Sequence, residues 1–390
     1  MRYLLLRLKR FCGFITGFVF FIGGILKLMD PVGAGLVMAE YFDFMHLKFL
    51  AFAAKPLAAA FALAEVLIGT ALITGVWRKF TGIAALAFQG FFTLLTLALV
   101  IFNPQMDCGC FGEAIHLTHT ETFVKNIVLF VLLCAYLFPA KLLGVYKKHK
   151  FVPFAIVSLS VIAFSVYSWM YIPMMDFTDY EPGALLKAAE GNSTDEDMYE
   201  AVFVYEKDGY EVDFDLEHLP DSTWTFVRTE TRKIMEMESD GLIDLSISRP
   251  DGRYEDELAA RGRVMVVSVY NTNIKARSWE SISEFILSAE AAGFRTLVLV
   301  SDMPDAYLDF PIYLADHKTL LALNRSNGGV TYFNDGFLIR KWAARARPDL
   351  ERLVEIAEED ATETVIYHNA KGSLAFQGFL LYVFAVMLLI

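Results

Sequence analysis

Six stretches of the chain, residues 11–29, 52–75, 80–102, 123–143, 151–172 and 374–390, are apolar over lengths that suit a bilayer-crossing helix. They constrain the fold more than any other feature, because a helix needs roughly 20 residues to cross hydrocarbon. The basic residues then set the direction of threading. Arg2, Arg7, Lys9 and Arg10 lie at the start, Arg78 and Lys79 between the second and third stretches, and Lys141, Lys147, Lys148 and Lys150 between the fourth and fifth. These groups fall at every second boundary, as an alternating topology requires, and are expected on the cytoplasmic side. The other connections carry Asp30, Glu40 and Asp43, then Asp107, Glu113 and Glu121, and are expected outside with residues 173–372.

A secretory signal has a shorter apolar region than the first stretch, so that stretch is expected to stay as an anchor. The expected product is a multi-pass protein of a bacterial inner membrane, in contact with lipid, with both termini cytoplasmic and a large periplasmic domain. Its parts are expected at 1–150 (a four-helix membrane core), 151–172 (a fifth helix), 173–372 (the periplasmic domain) and 373–390 (a sixth helix). Composition agrees: 55% of residues are hydrophobic, and a net charge of −12 leaves no basic stripe to neutralise phosphates, which excludes nucleic acid as a partner.

The loop D-C-G-C-F-G (107–112) holds two of the four cysteines, Cys108 and Cys110, and falls on the oxidising side of this topology. Thiolates attack disulfides, so two neighbouring cysteines that open and close a bond suit thiol–disulfide exchange. The small ring closed by C-x-C is strained and therefore easily reduced. Two other readings remain open at this point. His116 and His119 follow closely, giving Cys108, Cys110, His116 and His119 as a four-ligand metal set. The pair could also be a structural staple.

Glu65 lies mid-span, where an ionisable group is costly and marks function or an interhelical hydrogen bond. It is a candidate proton relay for thiol oxidation. Lys27, beside Asp30 at the outer end of the first span, is a candidate for favouring a thiolate; Lys55 reads as an anchor. Cys12 is expected across the membrane from the loop. Cys134 lies inside the fourth span, and both read as packing residues.

In the outer region, E-G-N-S-T-D-E-D (190–197) reads as the end of a linker, and two strand-like runs flank Asp208-Gly209 as a hairpin. Short strands are expected at 223–228 and 243–248, then buried strands at 264–270 and 296–301 around a helix at 278–292. A short helix at 319–324, a hairpin of 331–333 with 337–342 around N-D-G, and a helix at 349–358 complete the order β-α-β-α-β-β-α.

That order resembles thioredoxin or peroxiredoxin-type folds from about residue 243, including those with a D-G hairpin before the first core strand, here P-D-G-R at 250–253. The resemblance implies that Ile274 and Arg277 occupy the region where such domains keep C-x-x-C. This chain has N-T-N-I-K-A-R-S-W there, N-G-G-V-T before the final hairpin in place of a cis-proline segment, and no cysteine after Cys134. Docking a partner, shielding the loop, or nothing beyond its own fold is the role expected of it.

G-F-V-F-F-I-G-G-I-L-K-L-M-D-P (17–31), Glu65 with Gly69, and D-C-G-C-F-G together resemble the DoxX/MauE family over residues 11–143. The resemblance implies a four-helix membrane protein tied to maturation of a disulfide-rich partner. The four-helix plan is also similar to vitamin K epoxide reductase-type enzymes, which implies a quinone as electron partner by analogy. The fold class expected is thus an α-helical membrane bundle, a DoxX/MauE-like core plus two spans, carrying an α/β thioredoxin-like extracytoplasmic domain. The function expected is a membrane thiol–disulfide oxidoreductase or redox accessory acting on an extracytoplasmic protein. The alternatives are a non-enzymatic assembly or scaffold protein and a metal-handling protein.

Overall fold

The computed structural model describes residues 2–104, 106, 108–144, 148–190, 199–207, 210–214, 220, 224–233 and 242–389. Asp107, Lys147, most of the 190–197 linker tail, the Asp208-Gly209 turn and Thr223 lie outside the described residues. Six helices among those described are long and apolar enough to cross a membrane, and each overlaps one of the expected apolar stretches, which makes this a multi-pass membrane protein.

The helical region starts with α1 (Arg2–Met29), α2 (Pro31–Phe44), α3 (Ala54–Thr74) and α4 (Arg78–Phe102). A short strand, β1 (Cys110–Glu113), then leads to α5 (His119–Leu137) and α6 (Phe151–Met170). Helix α2 occupies what reads in sequence as a loop. Asp30 caps it, its Oδ1 accepting from the Val32 and Gly33 amides at 3.1 and 2.9 Å, and Pro31 supplies a preset first turn. Thr118 caps α5 through a reciprocal box with Glu121. Helix α5 stops at Leu137, short of the expected 143, because Pro139 has no amide to continue the ladder.

Helices α1 and α3 form the tightest seam of the bundle. A methyl group on Gly17 would stand 2.8 Å from the Gly69 carbonyl oxygen, and one on Gly69 would stand 2.7 Å from that of Gly17. Small residues let two helix backbones approach this closely where hydrocarbon provides no hydrophobic drive to associate. Around the seam lie Phe21, Ile25, Leu28 and Val66, with Val157, Val161 and Phe164 of α6. Helices α4 and α5 close the other side around Ala85, Leu129, Leu133 and Tyr136.

After α6 come β2 (Leu185–Leu186), α7 (Lys187–Glu190), β3 (Tyr199–Lys207), β4 (Tyr210–Phe214) and β5 (Thr225–Lys233). Then follow β6 (Leu242–Ile243), α8 (Glu257–Ala260), β7 (Arg263–Val269), α9 (Ala276–Ala291), β8 (Arg295–Val300) and β9 (Ile312–Leu314). The chain ends with α10 (His317–Leu323), β10 (Gly329–Asn334), β11 (Phe337–Trp342), α11 (Leu350–Glu358) and α12 (Ala361–Leu389). Strands β4, β3 and β5 make a small antiparallel sheet in that order. The main sheet has the order β6-β2-β11-β10-β7-β8-β9, with β7, β8 and β9 parallel and β10 antiparallel to both β7 and β11.

Strand alternation builds two cores from β7. Met265, Val267 and Val269 face Trp279, Ile282 and Phe285 of α9 and Leu353 and Ile356 of α11. Val264 and Val266 face Leu320 and Leu323 of α10 and Phe333. The N-D-G turn of the hairpin holds Asp335 and Gly336 at φ of 48° and 83°, the left-handed pair such a two-residue turn requires. The edge strand β9 is not legible as a run of its own, being three residues long. Helix α12 starts well before the expected 374, since its polar first turns extend the apolar span outward.

Gly69→Ala is expected to lower the thermal midpoint of the detergent-solubilised protein, with an overpacking cost of about 1–3 kcal/mol at a backbone-to-backbone contact. Gly378→Ala, within α12 and with nothing within 4 Å, serves as the control and is expected not to lower it. Equal melting of the two variants would show that the seam is not close-packed.

Candidate functional site

The cysteine loop lies between α4 and α5, and α2 packs against it. Gly109 has a φ of +58°, and a methyl group there would come within 2.4 Å of Val37 Cγ1, so neither the backbone conformation nor the space admits a side chain. Cys108 is buried at 5% exposure among Tyr41, Leu99, Val37, Phe44 and Leu95. The Tyr41 hydroxyl donates to the Cys108 carbonyl at 2.9 Å. Burial pushes the Tyr41 phenol well above its ordinary range, and the neighbouring Cys110, Cys108 and Glu40 act in the same direction, so it stays a donor. Cys110 is half-buried and opens β1.

Directly beneath lies an ion pair. Lys27 Nζ on α1 stands 2.6 Å from Glu65 Oε2 on α3, both largely buried. Gly23 lets the loop come down onto this pair: a methyl group there would be 3.2 Å from Glu65 Oε1 and 3.4 Å from the Cys110 carbonyl oxygen. A cavity of about 30 Å3 adjoins them, lined by Lys27, Glu65, Gln89, Cys110, Lys125 and Asn126 and by apolar side chains that include Phe20, Phe88 and Phe92. Its size and the polar groups in its wall suit a water molecule. Gln89 Nε2 donates to the Asn126 carbonyl at 3.1 Å, and Asn126 Nδ2 to Thr96 Oγ1 at 3.2 Å, so these amides face the interior and not lipid. The Lys125 ammonium rides over the Phe111 ring at 4.6 Å.

Glu65, Lys27 and Cys110 are therefore brought together, as their separate positions in sequence do not reveal. Gln89, Asn126, Tyr41 and Lys125 complete the surroundings; in sequence only the mid-span amides of Gln89 and Asn126 carry a signal. The proposed metal ligands are not assembled. His119 is used by the start of the loop, its Nε2 3.0 Å from the Met106 carbonyl and its Nδ1 3.3 Å from Asn103 Oδ1, and His116 is exposed. Among the described residues no three His, Cys, Asp or Glu side chains converge as a metal site. Cys12 packs with Leu72 and Tyr136 toward the other end of the bundle, and Cys134 lies fifteen residues along α5 from His119, about 22 Å away.

The sheet region is fastened at the rim of this site by charge. Arg325, at 8% exposure, places Nη2 2.9 Å from Asp30 Oδ2 and 3.3 Å from Glu113 Oε1. Lys55 lies over the Trp169 ring at 4.6 Å, and lines with Asp30, Tyr270, Arg325 and Asn327 a second cavity of about 180 Å3. Lys341 pairs with Asp176 at 2.5 Å; burial pushes its ammonium down while Asp176 opposes that. Arg325→Met is expected to cost roughly 3–5 kcal/mol, since it removes the buried cation that bridges Asp30 and Glu113. The checks are a lower thermal midpoint and faster maleimide labelling of Cys110. Wild-type behaviour in both would show that this contact does not hold the two regions together.

No curated protein and no solved structure matches the chain. Residues 199–236, which include β3 to β5, match a family model described as Domain of unknown function (DUF8463). Residues 3–139, which contain α1 to α5 and every residue of the cavity beneath the loop, match the family described as Methylamine utilisation protein MauE, and this part of the chain is a MauE family domain.

Proposed function

We propose that this protein is a membrane thiol–disulfide oxidoreductase, or a redox accessory, whose Cys108–Cys110 pair exchanges electrons with a disulfide of an extracytoplasmic protein. The observation that carries the reading is the placement of Cys110 over the cavity walled by Lys27, Glu65, Gln89 and Asn126. Burial divides the roles of the two cysteines. Cys110, the less buried, attacks the partner disulfide and forms a mixed disulfide; Cys108 then attacks the Cys110 sulfur and releases the partner as a dithiol. The partner gains two electrons and two protons, and the pair loses two of each. Glu65 can hold a proton from the thiols, and Lys27 stabilises its carboxylate between transfers. A membrane quinone in its reduced, quinol form is the class of donor that would return two electrons and two protons to the pair, by the analogy with vitamin K epoxide reductase-type enzymes.

The Lys and Arg distribution supports an orientation with the cysteine loop and the sheet region outside and both termini in the cytoplasm. The strand order β8-β7-β10-β11, with α9 and α11 on one face and α10 on the other, supports a thioredoxin-type reading of the sheet region. On that reading, Ile274 and Arg277 lie where α9 begins after β7, and the Arg325–Asn327 segment before β10 faces the helical region. A thioredoxin-type surface without thiols would there position a partner while the loop beneath does the chemistry. The name of the MauE family ties the helical part to methylamine utilisation; the further spans and the sheet region fit a more general role in disulfide maturation.

Thiol trapping tests the assignment. Cys108→Ser is expected to accumulate a mixed disulfide through Cys110, identifiable by mass spectrometry, and Cys110→Ser to accumulate far less. A wild-type pair that keeps one redox state across strongly oxidising and strongly reducing glutathione buffers would leave the loop a structural staple. The double variant Lys27→Met/Glu65→Leu removes both charges at once and leaves neither unpaired. It is expected to fold and to exchange about 100-fold or more slowly, with the pH dependence of the rate altered. An unchanged rate and pH profile would remove Glu65 from the mechanism.

A further inference from the structure

The end of the bundle opposite the cysteine loop contains a cavity of about 550 Å3 between the first turns of α1, the end of α3, the start of α4 and the α5–α6 connection. Lys9, Arg10, Arg78, His149 and Lys150 line it, and among the described residues no acidic side chain does. Lys9 is 2% exposed, and its ammonium donates to the carbonyls of Ala135, Tyr136 and Phe138 at 3.3, 3.0 and 2.7 Å. These are carbonyls at the end of α5, where no further turn supplies partners. Arg78 donates from Nη1 to the Leu143 carbonyl at 2.9 Å and from Nε to that of Gly75 at 3.3 Å. Such bonds satisfy donors without cancelling charge.

The sequence explains why no carboxylate answers these cations. Residues 1–29, 66–106, 122–175 and 364–390, which supply this end of the bundle, contain no Asp or Glu. The cysteine end behaves differently: Lys27 has Glu65, Lys48 has Asp43, Lys318 has Glu40 and Arg325 has Asp30 and Glu113. Counter-charge for the first end must therefore come from outside the described chain, and the rest of the cavity wall indicates its form. Leu6, Phe14, Leu72 and Ile73 line the same space, so cationic and apolar side chains share its lining. A small free anion would engage the cations and leave the apolar side chains in water.

We propose that this cavity binds an anionic phospholipid, its phosphate-bearing headgroup among Lys9, Arg10, Arg78, His149 and Lys150 and its acyl chain against the apolar side chains. The site needs no assumption about the redox role of the opposite end. The test uses the full chain in a neutral detergent, titrated separately with dioleoyl phosphatidylglycerol, dioleoyl phosphatidylcholine and inorganic phosphate, with bound lipid counted by native mass spectrometry. Phosphatidylglycerol is expected to be retained about tenfold or more over phosphatidylcholine. Arg10→Gln/Lys150→Gln is expected to abolish that preference; Arg10 is exposed and Lys150 half-buried, so the packing survives. Lys48→Gln, at the other end, is expected to leave it intact. Equal retention of the two lipids, or a preference that survives the double variant, overturns the proposal. Displacement of phosphatidylglycerol by inorganic phosphate at low millimolar concentration assigns the cavity to a soluble anion and overturns the lipid assignment.

Discussion

Hydrocarbon offers no hydrogen-bond partner, and the position of nearly every polar feature in this chain follows from that constraint. Six long helices satisfy their own backbone groups, so irregular backbone is confined to the two ends of the bundle. A thiol pair on a left-handed glycine turn can exist at an end and nowhere between. The ionisable groups that do enter the bundle near the cysteine loop meet one another, as Lys27 and Glu65 do at 2.6 Å. The amides of Gln89 and Asn126 turn inward for the same reason. A small cavity with several polar groups in its wall thus forms beneath Cys110, because the alternatives would turn those groups to lipid.

A chain of contacts links that cavity to the sheet region. Arg325 meets Asp30, and Asp30 also caps α2. Helix α2 in turn supplies Val37 against Gly109 and Tyr41 to the Cys108 carbonyl. The second carboxylate on Arg325 belongs to Glu113, the last residue of the strand that Cys110 begins. One guanidinium is therefore shared by both sides of the cysteine loop. Breaking it would remove the cation that Asp30 and Glu113 share, so the sheet region and the loop geometry are coupled electrostatically.

The sequence makes legible whatever depends on local period and composition. Twenty-residue apolar runs announce the spans, and alternation in 264–270 and 296–301 announces β7 and β8, because their burial pattern is written residue by residue. Pairings that depend on how elements cross stay hidden. Glu65 and Lys27 each stand out singly, yet their meeting depends on the close approach of α1 and α3 at Gly17 and Gly69. Arg325 carries no local signal, since its partners lie more than 200 residues away. The histidines read as metal ligands because they are close in sequence, but the turn into α5 sends His119 back toward Met106 and Asn103. Helix α2 is hidden for the opposite reason: at 14 residues it is too short to read as a span, and its cap residue reads as a loop acid.

The two ends of the bundle differ in where their counter-charge comes from, and this difference bears on what each can do. At the cysteine end the cations named above are matched by carboxylates of the same chain, so the arrangement there is set by the fold itself. That suits thiol exchange, which demands that two sulfur atoms meet repeatedly in one geometry whatever the surroundings. At the other end Lys9 and Arg78 donate to carbonyls, with no carboxylate partner among the described residues, and the charge they leave over is open to the solvent or the bilayer. Lys9 ties the start of α1 to the end of α5, the helix that descends from the cysteine loop. A counter-ion at that end would therefore steady a helix whose first turn is anchored to the loop at the opposite end, joining an interface that depends on its surroundings to a site that is internally neutralised.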